Sequence, residues 1–318
     1  MNIFFGILLN SIIPIFILIS LGFLVDRKFN LDINTLTKIN LYLFVPAFTF
    51  VNLVLTDVSV DLLLVILLAM SLLFINFSVG SILRRVLKLE FKTGKALENS
   101  IMFNNAGNIG IPLITLVFSN APFIVDGTTP YLEVALSVQV MILLVQTLTL
   151  NTFGFINSGG DGMTFKKGAV RVLKMPTIYM IILAILLKFT PWDITVTPVW
   201  PSLLYLRSGL VSIVLLTLGA QLSKTKINFR FKIPYLAVFC RLLIAPAVAF
   251  VLINLFGFEG VMAQAIFISS STPTAVNIVL IAVECKGDAD FAVQSVTMST
   301  LLSAITMTAV AYLAYVLF

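Results

Sequence analysis

Residues 104–113 read NNAGNIGIPL, a run in which the amides of Asn104, Asn105 and Asn108 are interleaved with Gly107, Gly110 and Pro112. A second run, SSSTP from Ser269 to Thr272 and Pro273, is followed by Thr274 and Asn277, so that hydroxyls and another amide surround another proline. Neither run pairs a nucleophile with a base. The chain has no His, and Cys240 and Cys285 stand far apart in no CxxC arrangement, so no metal cluster, cofactor or disulfide framework is expected. What such residues can do is bind. Gly107 and Gly110 each disfavour helix by about 1 kcal/mol and Pro112 by about 3. A helix broken there ends in one stump with free N–H groups and a positive dipole end, suited to an anion, and another with carbonyls suited to a cation.

The surroundings give the breaks their meaning. Hydrophobic residues make up 59% of the 318, charged residues 11%, and mean hydropathy is +1.09, far from a soluble domain. The chain reads as an all-α polytopic membrane protein. Apolar runs fall at 3–25, 37–55, 60–82, 98–118, 131–153, 174–190, 202–222, 233–256, 261–283 and 291–317, ten expected spans. The first lacks a basic n-region and a cleavage site, and is expected to be retained. Both polar runs therefore lie near the midplane, in the fourth and ninth spans. Unpaired backbone there costs several kcal/mol per group in lipid, so protein or water must cover it.

Net charge is +6, and the bases gather in alternate connections: Arg27, Lys28 and Lys38; Arg84 to Lys95; Lys166 to Lys174; Lys224, Lys226, Arg230 and Lys232. The connections around Asp57, Asp126, Asp193 and Glu259 carry acids. The positive-inside rule places the basic set in the cytoplasm and both termini outside a cytoplasmic membrane. These bases orient the protein, and no nucleic-acid partner is expected. The Gly/Ser-rich stretch NSGGDGMTFKKG divides the chain into a first repeat at 1–156, a linker at 157–173 and a second repeat at 174–318. Five spans on each side make the halves enter the membrane from opposite faces, the inverted-repeat signature. Pro14 matches Pro176 in similar surroundings, and Pro112 matches Pro273 at nearly the same offset. Close packing of small residues competes with binding as the reading of either run; their recurrence in equivalent spans favours binding.

Other polar residues inside spans are Gln139, Asn76, Ser78, Gln264 and Arg241. Arg241 lies about 12 Å deep from the start of its helix, where contact with substrate or a cytoplasmic gate competes with snorkelling to the surface. Arg207 and Lys188 read as interfacial. No carboxylate falls near a midplane, since Glu98 and Glu133 sit at helix ends. An intramembrane aspartyl protease lacks its two facing acids, GKAL is no nucleotide-binding loop, and no enzyme is expected.

The stretches IIPIFILISLGFLVDRK, YLFVPAFTF, FNNAGNIGIPL, MPTIYMIILAILL and STPTAVNIVLIA together resemble the auxin efflux carrier family, whose members include malonate and organic-acid permeases and the plant PIN-type auxin exporters. The resemblance covers nearly the whole chain. It implies two inverted five-helix repeats with broken helices four and nine crossing. It also implies a scaffold of spans one, two, six and seven, a mobile transport domain of the others, and a homodimer through the scaffold. Asn104, Asn105, Asn108, Pro112, Pro273, Thr274 and Asn277 would line the site, with Gln139 facing it. The short central loop departs from the plant exporters, so loop phosphoregulation is not expected. The function expected is carriage of a small organic carboxylate by alternating access, driven by the membrane potential or by coupling. A sodium- or proton-coupled carrier of the bile-acid symporter type is the alternative.

Overall fold

The computed structural model describes residues 3–56, 59–159, 164–225, 228 and 231–318; Asp57, Lys226, Arg230 and positions 160–163 of the central connection lie outside the described residues. Long helices are α1 (Ile3–Phe29), α2 (Ile33–Leu55), α3 (Val60–Val86), α6 (Leu132–Asn157), α9 (Val199–Ser223), α10 (Ile233–Phe256) and α13 (Ala289–Leu317). Among the described residues these seven are long and apolar enough to cross a membrane. Helices α7 (Phe165–Leu173) and α8 (Pro176–Lys188) are bent by 68° between them and bring the count to eight only if the pair is taken as one broken span. The remaining apolar runs are each split: α4 (Phe91–Met102) from α5 (Ala106–Phe118), and α11 (Gly260–Ser270) from α12 (Asn277–Glu284). Among the described residues there is no strand, only isolated bridges, of which Asn104–Thr274 joins the two splits.

Prolines stand in these helices without severing them. Pro14, Pro46, Pro112 and Pro246 each follow by two residues a widened turn, at 8–12, 40–44, 106–110 and 240–244. A proline has no N–H and its ring crowds the carbonyl four residues back, and a turn opened to i→i+5 bonding relieves that clash. Pro112 consequently lies in regular helix beyond the break, whereas Pro273 lies inside one. Their matching offsets in the sequence do not make them equivalent.

Helices α1, α2, α8 and α9 pack chiefly on one another, α9 running along α1 and α8 along α2. A Cβ on Gly22 would collide with the Leu216 carbonyl, and one on Gly219 with that of Ile19, so α1 and α9 cross with their backbones in contact. The remaining helices form a second body around α13 and α6. Bonds joining the two bodies cluster at the end where the termini lie. Ser11 Oγ donates to Leu116 O at 3.1 Å, Asn120 Nδ2 to Asn10 O at 3.3 Å, and Arg207 pairs with Glu133 at 2.6 Å. The hydroxyls of Thr56 and Ser137 also meet there. The segment read as a linker is partly helix: α7, with Gly168 against Thr152, lies on the end of α6.

Candidate functional site

The two splits are one structure. The helix leaves its path at Phe103–Asn105 and at Ser271–Val276, and the freed backbone groups find one another. Asn105 N–H donates to Pro273 O at 2.7 Å, and Ala275 N–H donates to Phe103 O at 3.0 Å. Each net bond contributes only about 1 kcal/mol, but a buried unpaired group would cost more than a made bond returns.

Side chains complete the exchange. Asn104 Nδ2 reaches across to Ser269 O at 3.1 Å and Thr272 Oγ1 at 2.7 Å, capping the end of α11. Thr274 Oγ1 donates to Ser100 O at 3.0 Å, capping the end of α4, while its N–H is taken by Ser299 Oγ at 3.1 Å. Thus each break satisfies the last carbonyls of the other helix, the groups that a helix C-terminus always leaves open.

This separates the residues read from the sequence into two kinds. Asn104, Asn105, Thr272, Pro273 and Thr274 are buried and each bonds within the crossing, although Asn104 Oδ1 and Asn105 Nδ2 find no protein partner. Gln139 is also buried: its Nε2 donates to Ala106 O at 2.7 Å, steadying the first turn of α5. A Cβ on Gly110 would strike that amide nitrogen, so Gly110 is there to admit Gln139. Pro112 is buried in regular helix. Gly107 and Asn108 are half-buried and Asn277 is exposed, and a Cβ on Gly107 would meet nothing closer than Leu143 at 3.5 Å. Gly107, Asn108 and Asn277 are thus residues of the two runs that the crossing does not enclose. The start of α5 lies against α9 of the other body.

The N-termini of the second half-helices differ. Asn105 Oδ1 accepts from Asn108 N–H at 3.1 Å and caps α5, whereas α12 starts at Asn277 with no side-chain cap. The end of α12 that favours negative charge thus carries no side-chain cap, although Ile278 N–H and Val279 N–H donate to Ala275 O and Val276 O.

Arg241 does not snorkel. It stands in the widened turn of α10 at 1% exposure, its Nη1 donating to Ile101 O at 3.1 Å and its Nη2 to Ser270 O at 2.6 Å. Beside it is a cavity of about 20 Å³ lined by Asn104, Gln146, Ser269 and Ser270 among others, room for about one water molecule.

Sequence reading missed two features. Glu98, placed at a helix end, is fully buried in α4, accepting from Arg84 at 2.7 Å, Lys95 at 2.9 Å and Ser81 at 3.1 Å. The i,i+3 spacing of Lys95 and Glu98 was visible in the sequence; the arrival of Arg84 from α3 was not. Gln146, one of the cavity's amides, carried no local signal, since a lone Gln in an apolar run does not reveal which face of its helix it occupies.

A family model described as "Membrane transport protein" matches the chain over residues 7–166 and 162–311. An uncharacterized transporter of Methanothermobacter thermautotrophicus is 24% identical over 311 residues, covering 94% of this chain and 95% of its own length. An uncharacterized transporter of Methanocaldococcus jannaschii is also 24% identical, over 233 residues, 73% of this chain and 72% of its own.

Proposed function

The chain belongs to the membrane transport protein family, the auxin efflux carrier family, and from that premise we propose that it moves a small organic carboxylate across the cytoplasmic membrane. The observation that carries this reading is the exposed amide of Asn277 at the uncapped start of α12, in the same crossing that leaves Asn108 and Gly107 accessible. A carboxylate held there accepts from amide N–H groups and lies at a positive dipole end.

In this reading ten helices form two inverted five-helix repeats, with α4–α5 and α11–α12 as crossing spans four and nine. The body of α1, α2, α8 and α9 is a scaffold and the dimer surface of a homodimer. The other body carries the crossing and its anion past the scaffold, as in an elevator. With the termini outside, as the basic loops imply, the contacts through Arg207–Glu133 and Thr56–Ser137 close the outer side, so this conformation offers its site to the cytoplasm.

The test is thermal stabilisation of the detergent-purified protein by mono- and dicarboxylates and indole-type acids. A saturable rise with one carboxylate, absent in Asn277→Leu and weakened in Asn108→Leu, is expected. Variants that fold and respond like the parent would refute the site.

A further inference from the structure

Arg241 is a buried cation whose neighbours are those of a metal ion. Its guanidinium donates to the carbonyls of Ile101 and Ser270, the first one residue before the end of α4 and the second at the end of α11. In a continuous helix these oxygens would accept from Asn105 N–H and Thr274 N–H. The crossing has sent those donors to Pro273 O and Ser299 Oγ instead. Two half-helix C-termini, each with a partial negative charge, therefore converge on one side chain.

Three further oxygens without a protein partner belong to residues lining the cavity next to the guanidinium: Asn104 Oδ1, Gln146 Oε1 and Ser269 Oγ. Arg241 Nε is unpartnered as well. Among the described residues Arg241 takes part in no ion pair, and the buried acid Glu98 is committed to Arg84 and Lys95. Five neutral oxygens, two of them helix-terminal carbonyls, make the kind of all-oxygen surround that holds a hard monovalent cation in broken-helix carriers.

We infer that Arg241 is a resident cation, occupying through its guanidinium the place at the crossing where a coupling ion would otherwise bind. An arginine stays protonated at any physiological pH, so the charge that neutralises the two helix ends cannot leave in a transport cycle. The crossing is then complete without sodium, potassium or a proton, and the carrier needs no alkali cation to keep its anion site in shape. This does not rest on the carboxylate reading, because it concerns the rear of the crossing and its test contains no substrate.

The experiment is thermal unfolding of purified parent, Arg241→Met and Arg241→Lys in choline, lithium, sodium and potassium chloride at one ionic strength, with no carboxylate present. The parent should unfold at the same temperature in every salt. Arg241→Met should unfold earlier in choline and recover by about 2–4 °C, saturably, in one alkali chloride. Arg241→Lys, which keeps a charge, should stay insensitive to the salt. A saturable sodium-specific rise in the parent would overturn the inference, as would a folded Arg241→Met that matches the parent in choline and ignores every cation. Should Arg241→Met fold in none of these salts, Arg241→Lys decides: an alkali-dependent rise there overturns the proposal, and a flat response upholds it.

Discussion

At the C-terminal ends of α4 and α11 the two breaks treat each other alike, Asn104 capping one and Thr274 the other, but at the N-terminal ends of α5 and α12 they diverge. Asn105 closes the start of α5 on itself, while Asn277 stands exposed where α12 begins uncapped. The likeness ties the two breaks together, and the difference is confined to the starts of α5 and α12, where the proposed anion position lies.

The largest effect should come from cutting the shared part. Asn104→Leu removes two cross-break bonds and leaves Ser269 O and Thr272 Oγ1 bonded only within their own segment, and is expected to cost about 2 kcal/mol; Thr274→Val removes one and should cost about 1. Unfolding midpoints of the two purified variants measure the gap, and equal losses would mean that the two caps are equivalent after all.

A double-mutant cycle gives an intermediate effect specific to α5. Gly110→Ala pushes a methyl group into the Gln139 amide and should cost about 1–3 kcal/mol by overpacking. In the presence of Gln139→Ala most of that cost should vanish, because the colliding group is gone. Additive losses would show that Gly110 is required by its backbone and not by its neighbour.

The smallest stability effect tests the divergence itself. Asn105→Ala uncaps α5 and should lose about 1 kcal/mol, whereas Asn277→Leu, exposed and capping nothing, should stay within about 0.5. Only the second is expected to abolish stabilisation by the carboxylate while the fold persists. If Asn277→Leu proved the more destabilising of the two, the open end would be a structural element and the comparison would reverse.

The position of both breaks was legible in the sequence because Gly, Pro and Asn are improbable together at membrane depth. Which of those residues would be accessible was not legible. Whether Asn104 or Asn108 is free depends on where Ser269 and Thr272 arrive, and that is tertiary information. Arg241 was singled out inside its span, but its direction is set by carbonyls that become available only because the crossing diverts their usual donors. Pro112 looked like part of the break because a proline disfavours helix; the widened turn ahead of it absorbs the clash within the helix instead. The amphipathic α7 was hidden by the glycines before it, which made the whole stretch look like a tether.

The crossing also constrains the order in which the molecule can be made. Ser100 and Thr274 are separated by 174 positions, so while the ribosome is still adding the middle helices, the carbonyls of Ser100 and Phe103 at the end of α4 lack their cross-break partners. They must be tended by water or by the insertion machinery until the ninth run arrives. Closing so long a loop comes late and depends on everything between being in place. Biogenesis therefore has a natural checkpoint. A nascent chain that stalls or is truncated before residue 271 carries an unfinished polar seam inside the bilayer, the sort of defect a membrane quality-control protease can recognise, whereas a completed chain has sealed it.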